Sequence, residues 1–327
     1  MACTQIIGTG SYAPSRVVTN QELEQRVDTS DTWIRERTGI EERRQAAPEE
    51  ATSDMAVHAA RRALEMAGVS PEELDLIVVG TITADMPMPS CAAFVQAKLG
   101  AKRAFAFDVG AACAGSLYAM SVADQFIRSG QVRRALVIGA ELLSRVVNPD
   151  DRNTCILFGD GAGAMVLMPS EDEGHGILST HLHSDGGLAE LITIPGGGSR
   201  TPMTEEAVRA RLNTLHMNGR EVFKFAVRAL VESTQEALAS HGLSTEQVDH
   251  VIAHQANARI LDAALERLEI PREKCWLNLH KYGNTSSASL PMTLDEALRA
   301  GRLQRGDVIA MMAIGAGMTW GSAVVRW

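Results

Sequence analysis

The sequence has no basic excess. Over 327 residues, 31 Lys and Arg stand against 40 Asp and Glu, a formal net charge of −9. A nucleic-acid binder rests its affinity on a basic surface, so that class is excluded, and any polyanionic partner must find a local patch. Cysteine is scarce. Cys3, Cys91, Cys113, Cys155 and Cys275 are odd in number and widely spaced, without the paired spacing of metal ligands. The pattern suits a reducing cytoplasm and predicts no structural zinc. The opening MACTQIIGTGSYAPS lacks a basic region followed by a long apolar segment, so no signal peptide is expected. No apolar run is long enough to span a bilayer, so no membrane association is expected either. What is present is a chain 45% hydrophobic, long enough for one large domain or two fused halves, each with its own core.

Apolar strands and helices alternate along the chain, which predicts an α/β fold with buried sheets covered by helices. Gln5–Thr9 reads as a strand, and Thr19 and Asn20 as caps of a short helix. The charged stretch DTSDTWIRERTGIEERRQAAPEE reads as a surface excursion. A helix over Ser53–Ala67 and a strand ending at Gly80 follow.

The densest stretch is FAFDVGAACAGSLYAM. Phe105–Val109 is apolar and β-compatible, and Gly110, Ala111 and Ala112 allow a tight turn. From Ser116 to Arg128 apolar residues cover most of a helix circumference, the pattern of a buried helix. Cys113 therefore lies at a buried helix N-terminus, where unpaired N–H groups and the positive dipole end favour a thiolate. The stretch alone leaves two readings open, a nucleophile or a small buried hydrophobe. Cys91, on another helix start, is read as structural.

The chain also matches itself. AGVSPEELDLIVVG (Ala67–Gly80) aligns without gaps on HGLSTEQVDHVIAH (His241–His254), a displacement of 174 residues, and IRSGQVRRALVIG from Ile127 matches LRAGRLQRGDVIA from Leu298, a displacement of 171. The blocks predict a duplicated α/β unit: residues 1–174 carry the cysteine, 175–327 form the second half, and the junction falls in the polar Ser170–Gly176. A displacement of 171 puts Asn284 opposite Cys113, each beginning an equivalent helix, with Pro291 tolerated near the first turn of the second. His254 ends the strand VIAH, and α/β sheets place ligands beyond the carboxyl ends of their strands. Convergence of a thiol, an imidazole and an amide favours catalysis over a buried structural histidine.

These residues resemble the β-ketoacyl-acyl-carrier-protein synthase III family of the thiolase fold. The similarity covers essentially the whole chain and includes GTGSYAPSRVVTNQEL, DTSDTWIRERTGI, AFDVGAACAGSLYA, FGDGAGAMVL, THLHSDG, HQANARI, GNTSSASLP and TWGSAVVRW. It implies two α/β halves in an α-β-α-β-α layered structure, a cytoplasmic homodimer, and no cofactor beyond coenzyme A thioesters as substrates. The implied reaction is a decarboxylating Claisen condensation of an acyl-CoA with malonyl-acyl-carrier protein through an acyl-cysteine, initiating fatty-acid synthesis. Cys113 would be the nucleophile, activated by the helix terminus without His254, and the N–H groups of Cys113 and Ala316 would form the oxyanion hole. His254 and Asn284 would donate to the malonyl thioester carbonyl.

The resemblance also implies that Trp33 and Arg152 sandwich the adenine of coenzyme A, with Arg37 and Thr38 nearby, and that Gly219, Phe223, Ala256 and Asn257 line a pantetheine tunnel. Lys224, Arg259 and Arg267 would dock the acidic carrier protein at the tunnel mouth. On the helix after Asn218, Arg220, Lys224 and Arg228 recur every four residues and share a face. Three departures stand out: Met88 where a partner-reaching acyl-pocket residue is commonly Phe, Ile314 and Ala316 where relatives carry Phe and Gly, and Glu266 at a position usually basic. Two rivals remain: a condensing enzyme of specialised metabolism, loading another acyl group or using malonyl-CoA, and a catalytically silent partner subunit, against which the intact Cys113, His254 and Asn284 speak.

Overall fold

The computed structural model describes residues 3–172 and 174–327. In chain order the first half contains β1 (Thr4–Tyr12), β2 (Arg16–Thr19), α1 (Asn20–Glu24), α2 (Asp31–Thr38), β3 (Glu42–Gln45), α3 (Thr52–Ala67), β4 (Leu76–Gly80), α4 (Cys91–Leu99), β5 (Phe105–Val109), α5 (Gly115–Arg128), β6 (Ala135–Leu142), α6 (Arg152–Cys155) and β7 (Asp160–Pro169). The second contains β8 (Gly176–Ser184), β9 (Ile192–Thr193), α7 (Glu205–Arg209), β10 (His216–Met217), α8 (Gly219–Ala239), β11 (His250–Ala253), α9 (Ala258–Leu268), α10 (Leu279–Tyr282), α11 (Ser289–Arg299), β12 (Val308–Gly315) and β13 (Thr319–Arg326).

Nine strands form one mixed sheet in the order β11-β12-β13-β8-β1-β7-β6-β4-β5. Read outward from its centre, each side repeats the same succession, and the two sides meet through a single pair, Thr4 with Ile177. Where β5 lies beside β4, the second half has only one parallel bridge between Val251 and Cys275. The expected junction Ser170–Gly176 joins β7 to β8 and includes Glu173, which lies outside the described residues, as do Met1 and Ala2 of the N-terminal stretch.

β4, β6 and β12 are buried along their whole length, because helices cover both faces and leave no side for polar alternation. Successive residues then serve different cores. Val78 of β4 joins Leu117 and Met120 of α5, Leu290 and Leu294 of α11, and Met311 of β12 in a central cluster shared by both halves. Its neighbours Ile77 and Val79 face an outer cluster with α3 and α4. A third cluster under α8 and α9 belongs to the second half. Helices α5 and α11 thus fill the layer between the two half-sheets, which gives the α-β-α-β-α arrangement of a thiolase-like fold.

Two expectations are corrected. The nucleophile turn is a 3-10 turn, Ala112–Ala114, leading into α5, and its counterpart is Ser286–Ala288, leading into α11. Both turns begin on a non-glycine residue with positive φ, Ala112 at 45° and Ser286 at 51°. The structural counterpart of Cys113 is therefore Ser287, and the displacement here is 174. The displacement of 171 holds only after the helices, since α5 has 14 residues and α11 has 11. The charged stretch after Val27 is also more than a surface excursion. It forms α2 and β3, and buries Ile34 and Ile40 with Leu143, Phe158 and Leu279. Its Arg43 is buried because the guanidinium donates to the carbonyls of Val18 and Ile156 and to the Asn20 amide oxygen. The expected capping residue Thr19 does cap α1, with Glu22 reaching back to its N–H.

Candidate active site

Chain direction brings β5 up to Cys113, and α5 leads away from it. The end of β12 runs directly against this turn. A Cβ on Gly315 would lie 2.5 Å from the Cys113 nitrogen and 2.9 Å from the Ala111 carbonyl oxygen, so only glycine fits there. The approach carries Ala316 to the Cys113 turn. Neither the Cys113 nor the Ala316 N–H donates to a backbone carbonyl among the described residues, and Ala316 is not one of the positive-φ residues. Alanine therefore keeps the donor that glycine would supply in relatives, at no steric cost.

Cys113 does not rest as the thiolate expected of a helix terminus. Enclosure in the protein pushes its thiol up to about 12; a hydrogen bond with Ser286 opposes the rise and the Glu141 carboxylate adds to it. To act as a nucleophile such a thiol would need a proton acceptor. His254, one residue beyond β11, is 3% exposed, and burial pushes its imidazole down to about 4, so it is neutral at physiological pH. Its Nδ1 lies 2.6 Å from Ser289 Oγ. That hydroxyl also accepts from the Gln255 N–H at 3.2 Å and meets the Ser286 carbonyl oxygen at 2.8 Å. A hydroxyl has one proton and two lone pairs. All contacts are satisfied when Ser289 donates to Ser286 and accepts from Nδ1–H, which leaves Nε2 as an acceptor. When Ser289 turns its proton to Nδ1, Nε2 carries the proton and becomes a donor.

Asn284 is anchored through backbone bonds with Leu157 at 2.8 Å and Gly159 at 3.0 Å. Its Oδ1 accepts from the Ser286 N–H at 2.8 Å. With the oxygen so committed, the amide turns its NH2 to the cavity, the polarity needed to stabilise a developing oxyanion. Cys113, His254, Asn284 and Ala316 all line one cavity of about 780 Å³, in the size range of small-molecule sites.

The same cavity is lined by Trp33, Arg37, Thr38, Gly219, Phe223, Ala256 and Asn257. Arg152 is at its mouth rather than on its wall, its guanidinium 5.0 Å from the Trp33 ring centroid, with Arg37 5.7 Å from the same ring. The two side chains expected to sandwich an adenine thus lie against each other. Thr38 contributes surface but not its hydroxyl, which donates to the Ile34 carbonyl at 2.6 Å and accepts from the Ile40 N–H at 3.0 Å. Asn257 caps α9 and donates to the Arg37 carbonyl, tying the two lips of the mouth together.

Met88 does not line this cavity and is 83% exposed, whereas Ile82 does line it. Lys224, Arg228 and Arg267 share a neighbouring shallow groove with Leu188, Leu191 and Phe225. Lys224 is paired there with Glu221 at 2.9 Å. Arg259 is apart from them, 5.9 Å over the ring of Phe223 on the cavity wall, and Arg220 lines the cavity itself. Cys91 is fully buried at the start of α4 and its thiol is pushed up strongly, in keeping with a structural role.

Sequence reasoning missed Glu141, Ser286 and Ser289. Only Ser286 carried a signal, its alignment with Ala112 in the turn before a helix, and the displacement of 171 concealed it.

The chain matches two family models, 3-Oxoacyl-[acyl-carrier-protein (ACP)] synthase III over residues 107–186 and the C-terminal model of the same name over residues 238–327. It is similar to the β-ketoacyl-[acyl-carrier-protein] synthase III of Caldanaerobacter subterraneus subsp. tengcongensis, with 52% identity over 98% of this chain and 97% of that protein. Among solved structures it is similar to 3-oxoacyl-[acyl-carrier-protein] synthase III from Aquifex aeolicus VF5, with 49% identity, a TM-score of 0.91 and coverage of 99% and 100% of the two chains. It is also similar to the priming β-ketosynthase of the R1128 polyketide biosynthetic pathway, with 36% identity, a TM-score of 0.91 and coverage of 99% and 97%.

Proposed function

The chain belongs to the 3-oxoacyl-[acyl-carrier-protein] synthase III family, and from that membership we propose a mechanism built on Cys113, His254 and Asn284. The enzyme is an acyl-transferring condensing enzyme that starts fatty-acid synthesis. Residues 1–174 supply the nucleophile and residues 175–327 the His and Asn.

In the first half-reaction the Cys113 sulfur attacks the thioester carbonyl of an acyl-CoA while its proton passes to His254 Nε2. The Cys113 and Ala316 N–H groups hold the tetrahedral oxyanion. The bond to the coenzyme A sulfur breaks, that sulfur takes the proton from His254, and the acyl group rests on Cys113. In the second, malonyl-acyl-carrier protein loses carbon dioxide, and the electron pair of the broken C–C bond forms an enolate. Asn284 Nδ2–H and His254 Nε2–H donate to its oxygen, each contributing about 3–4 kcal/mol in a water-poor site. The enolate carbon attacks the acyl carbonyl, the C–S bond breaks, the released Cys113 thiolate takes up a proton from solvent water, and a 3-ketoacyl product leaves.

The observation that carries this reading is the Asn284 amide, fixed by Ser286 with its donors turned into the cavity that holds Cys113 and His254. Trp33, Arg37 and Arg152 bind the nucleotide end of coenzyme A, and Gly219, Phe223, Ala256 and Asn257 its pantetheine. Thr38 shapes that wall. Lys224, Arg259 and Arg267 receive the carrier protein. No cofactor beyond the thioester substrates enters the scheme. The protein acts as a homodimer, with Met88 of one copy reaching the acyl pocket of the other, and works in the cytoplasm. Among the described residues no helix is long and apolar enough to cross a membrane.

Intact-mass measurement after mixing with a panel of acyl-CoAs tests the assignment and reads the acyl preference. The parent gains one acyl group and Cys113→Ala none; acylation of Cys91 or Cys155 in that variant at the parent's rate would remove Cys113 from its role. The rival in specialised metabolism keeps this chemistry and differs in the acyl group that the panel identifies.

A further inference from the structure

Glu141 near the end of β6 is fully buried and reaches none of the substrate-lining surface. A buried carboxylate is costly unless several donors satisfy it, and this one has five. Thr83 Oγ1 donates at 2.6 Å, Thr81 Oγ1 at 3.3 Å and the Ile82 N–H at 3.2 Å, all from the loop after β4. Ser286 and Ser287 each donate a hydroxyl at 3.1 Å from the other half of the molecule. The Ser287 proton is shared with the Gly80 carbonyl at 2.6 Å. A Cβ on Gly139, two residues before Glu141 on β6, would lie 2.1 Å from the Ser287 carbonyl oxygen, so glycine is what lets the strand come this close.

Ser286 is the residue on which the reacting set depends. Its N–H fixes the Asn284 amide, its carbonyl meets the Ser289 hydroxyl that adjoins His254 Nδ1, and its side chain lies beside the Cys113 thiol. It does this at a φ of 51°, a conformation that a serine adopts only where its surroundings enforce it. We propose that Glu141 is the positioning residue that enforces it: the carboxylate grips the Ser286–Ser287 turn across the boundary between the halves and thereby aims all three reacting side chains. A carboxylate with only an architectural role would tolerate a neutral isostere without any change in the chemistry.

The grip is sensitive to protonation. The titratable groups facing Glu141 are Cys113 from the nucleophile turn and Cys91 from the start of α4, with Asp85 beyond Cys91 and His254 beyond Ser286. Burial raises Glu141 to about 7, whereas the two thiols lie far above and His254 far below. Losing the charge weakens the acceptor, so the condensation rate falls as the pH drops through this range.

The inference rests on the proposed roles of Cys113, His254 and Asn284, and the experiment separates the two. Malonyl decarboxylation, acyl-Cys113 formation and cooperative melting are measured on the parent, Glu141→Gln and Ser286→Ala. A parent that forms no acyl-Cys113 defeats the underlying reading. With that reading intact, Glu141→Gln lowers kcat for decarboxylation by about tenfold or more, leaves KM within about twofold, and abolishes the parent's loss of rate below neutrality. A folded Glu141→Gln with the parent's kcat and the parent's acid limb overturns the proposal. If that variant does not fold, Ser286→Ala decides, since it removes the donor and keeps the carboxylate: a comparable loss in kcat supports the grip and a parental rate overturns it.

Discussion

In the proposed mechanism Asn284 and His254 serve the same enolate but are held in different ways, and the difference predicts different phenotypes. Asn284 has one fixed polarity through Ser286, so Asn284→Ala removes a donor from decarboxylation and nothing from acylation. His254 is also the base for a thiol raised to about 12. His254→Ala is therefore expected to abolish decarboxylation and also to slow acylation, by on the order of 100-fold, whereas activation by the helix terminus alone predicts that acylation is kept. Rapid-quench measurement of acyl-Cys113 separates the two variants, and equal acylation rates would return activation to the helix. The same groups set the response of stability to acid. His254 falls from 6.5 to about 4 on folding, so its contribution is present above 6.5 and is lost as pH falls from there through 4; it amounts to roughly 3 kcal/mol. Glu141 rises from 4.5 to about 7, so its contribution is present below 4.5 and is lost as pH rises through 7. The slopes oppose between 4.5 and 6.5. Glu141→Gln removes one of them, and its melting temperature is expected to fall more steeply than the parent's between pH 6.5 and 4.5.

Among the elements, α8 and α9 carry the charge that an acidic carrier protein would meet. Lys224 is paired with Glu221, but both are exposed, and such a pair yields to a competing partner at little cost. Arg267 shares the groove with Lys224. Arg259 is a less clean probe because it covers Phe223 on the cavity wall. Lys224→Glu and Arg267→Glu are expected to raise KM for malonyl-carrier protein about tenfold at low salt while acyl transfer from acyl-CoA stays near the parent rate. Added salt should narrow the gap. Equal losses in both half-reactions would assign the strip to the coenzyme A site, and Arg259→Glu alone is expected to show some of that mixed behaviour.

At the scale of the whole molecule, β5 leaves one edge of the sheet unpaired and exposes Phe105, while the loop before α4 exposes Met86 and Met88. Natural proteins rarely leave such an edge open, and a second copy of the chain covers it in the proposed homodimer. Met88 then meets its acyl pocket only in the assembled pair. Met88→Phe puts a rigid ring where a flexible thioether stood, and is expected to shift acyl-CoA preference towards shorter chains with no change in the sedimentation of the dimer. Unchanged selectivity between acetyl and branched acyl-CoAs would take Met88 out of the pocket.

Much of this was legible in the sequence because it is local or periodic. The strand, turn and buried helix around Cys113 follow from β-compatible residues, small residues and a helix whose apolar residues cover most of its circumference. The duplication follows from two matching blocks, and His254 from its place at a strand end. Trp33 and the pantetheine-lining residues were reached only through resemblance. The tertiary structure decided the rest. That Cys113 is opposed by Ser287 depends on three residues missing inside α11; the flanking blocks carry that difference, 174 against 171, but do not say on which side of the turn the residues are lost. The resting state of the thiol depends on burial, which outweighs the helix terminus. Arg43 was read as surface because its carbonyl partners lie far away in the chain. Glu141 looks like one acidic residue in an apolar strand, and its importance comes from two serines 145 and 146 residues further on. Sequence determined which groups could react, because reactivity belongs to residue types and their nearest neighbours. Only the packing of one half against the other decided which way each group points and which proton it carries.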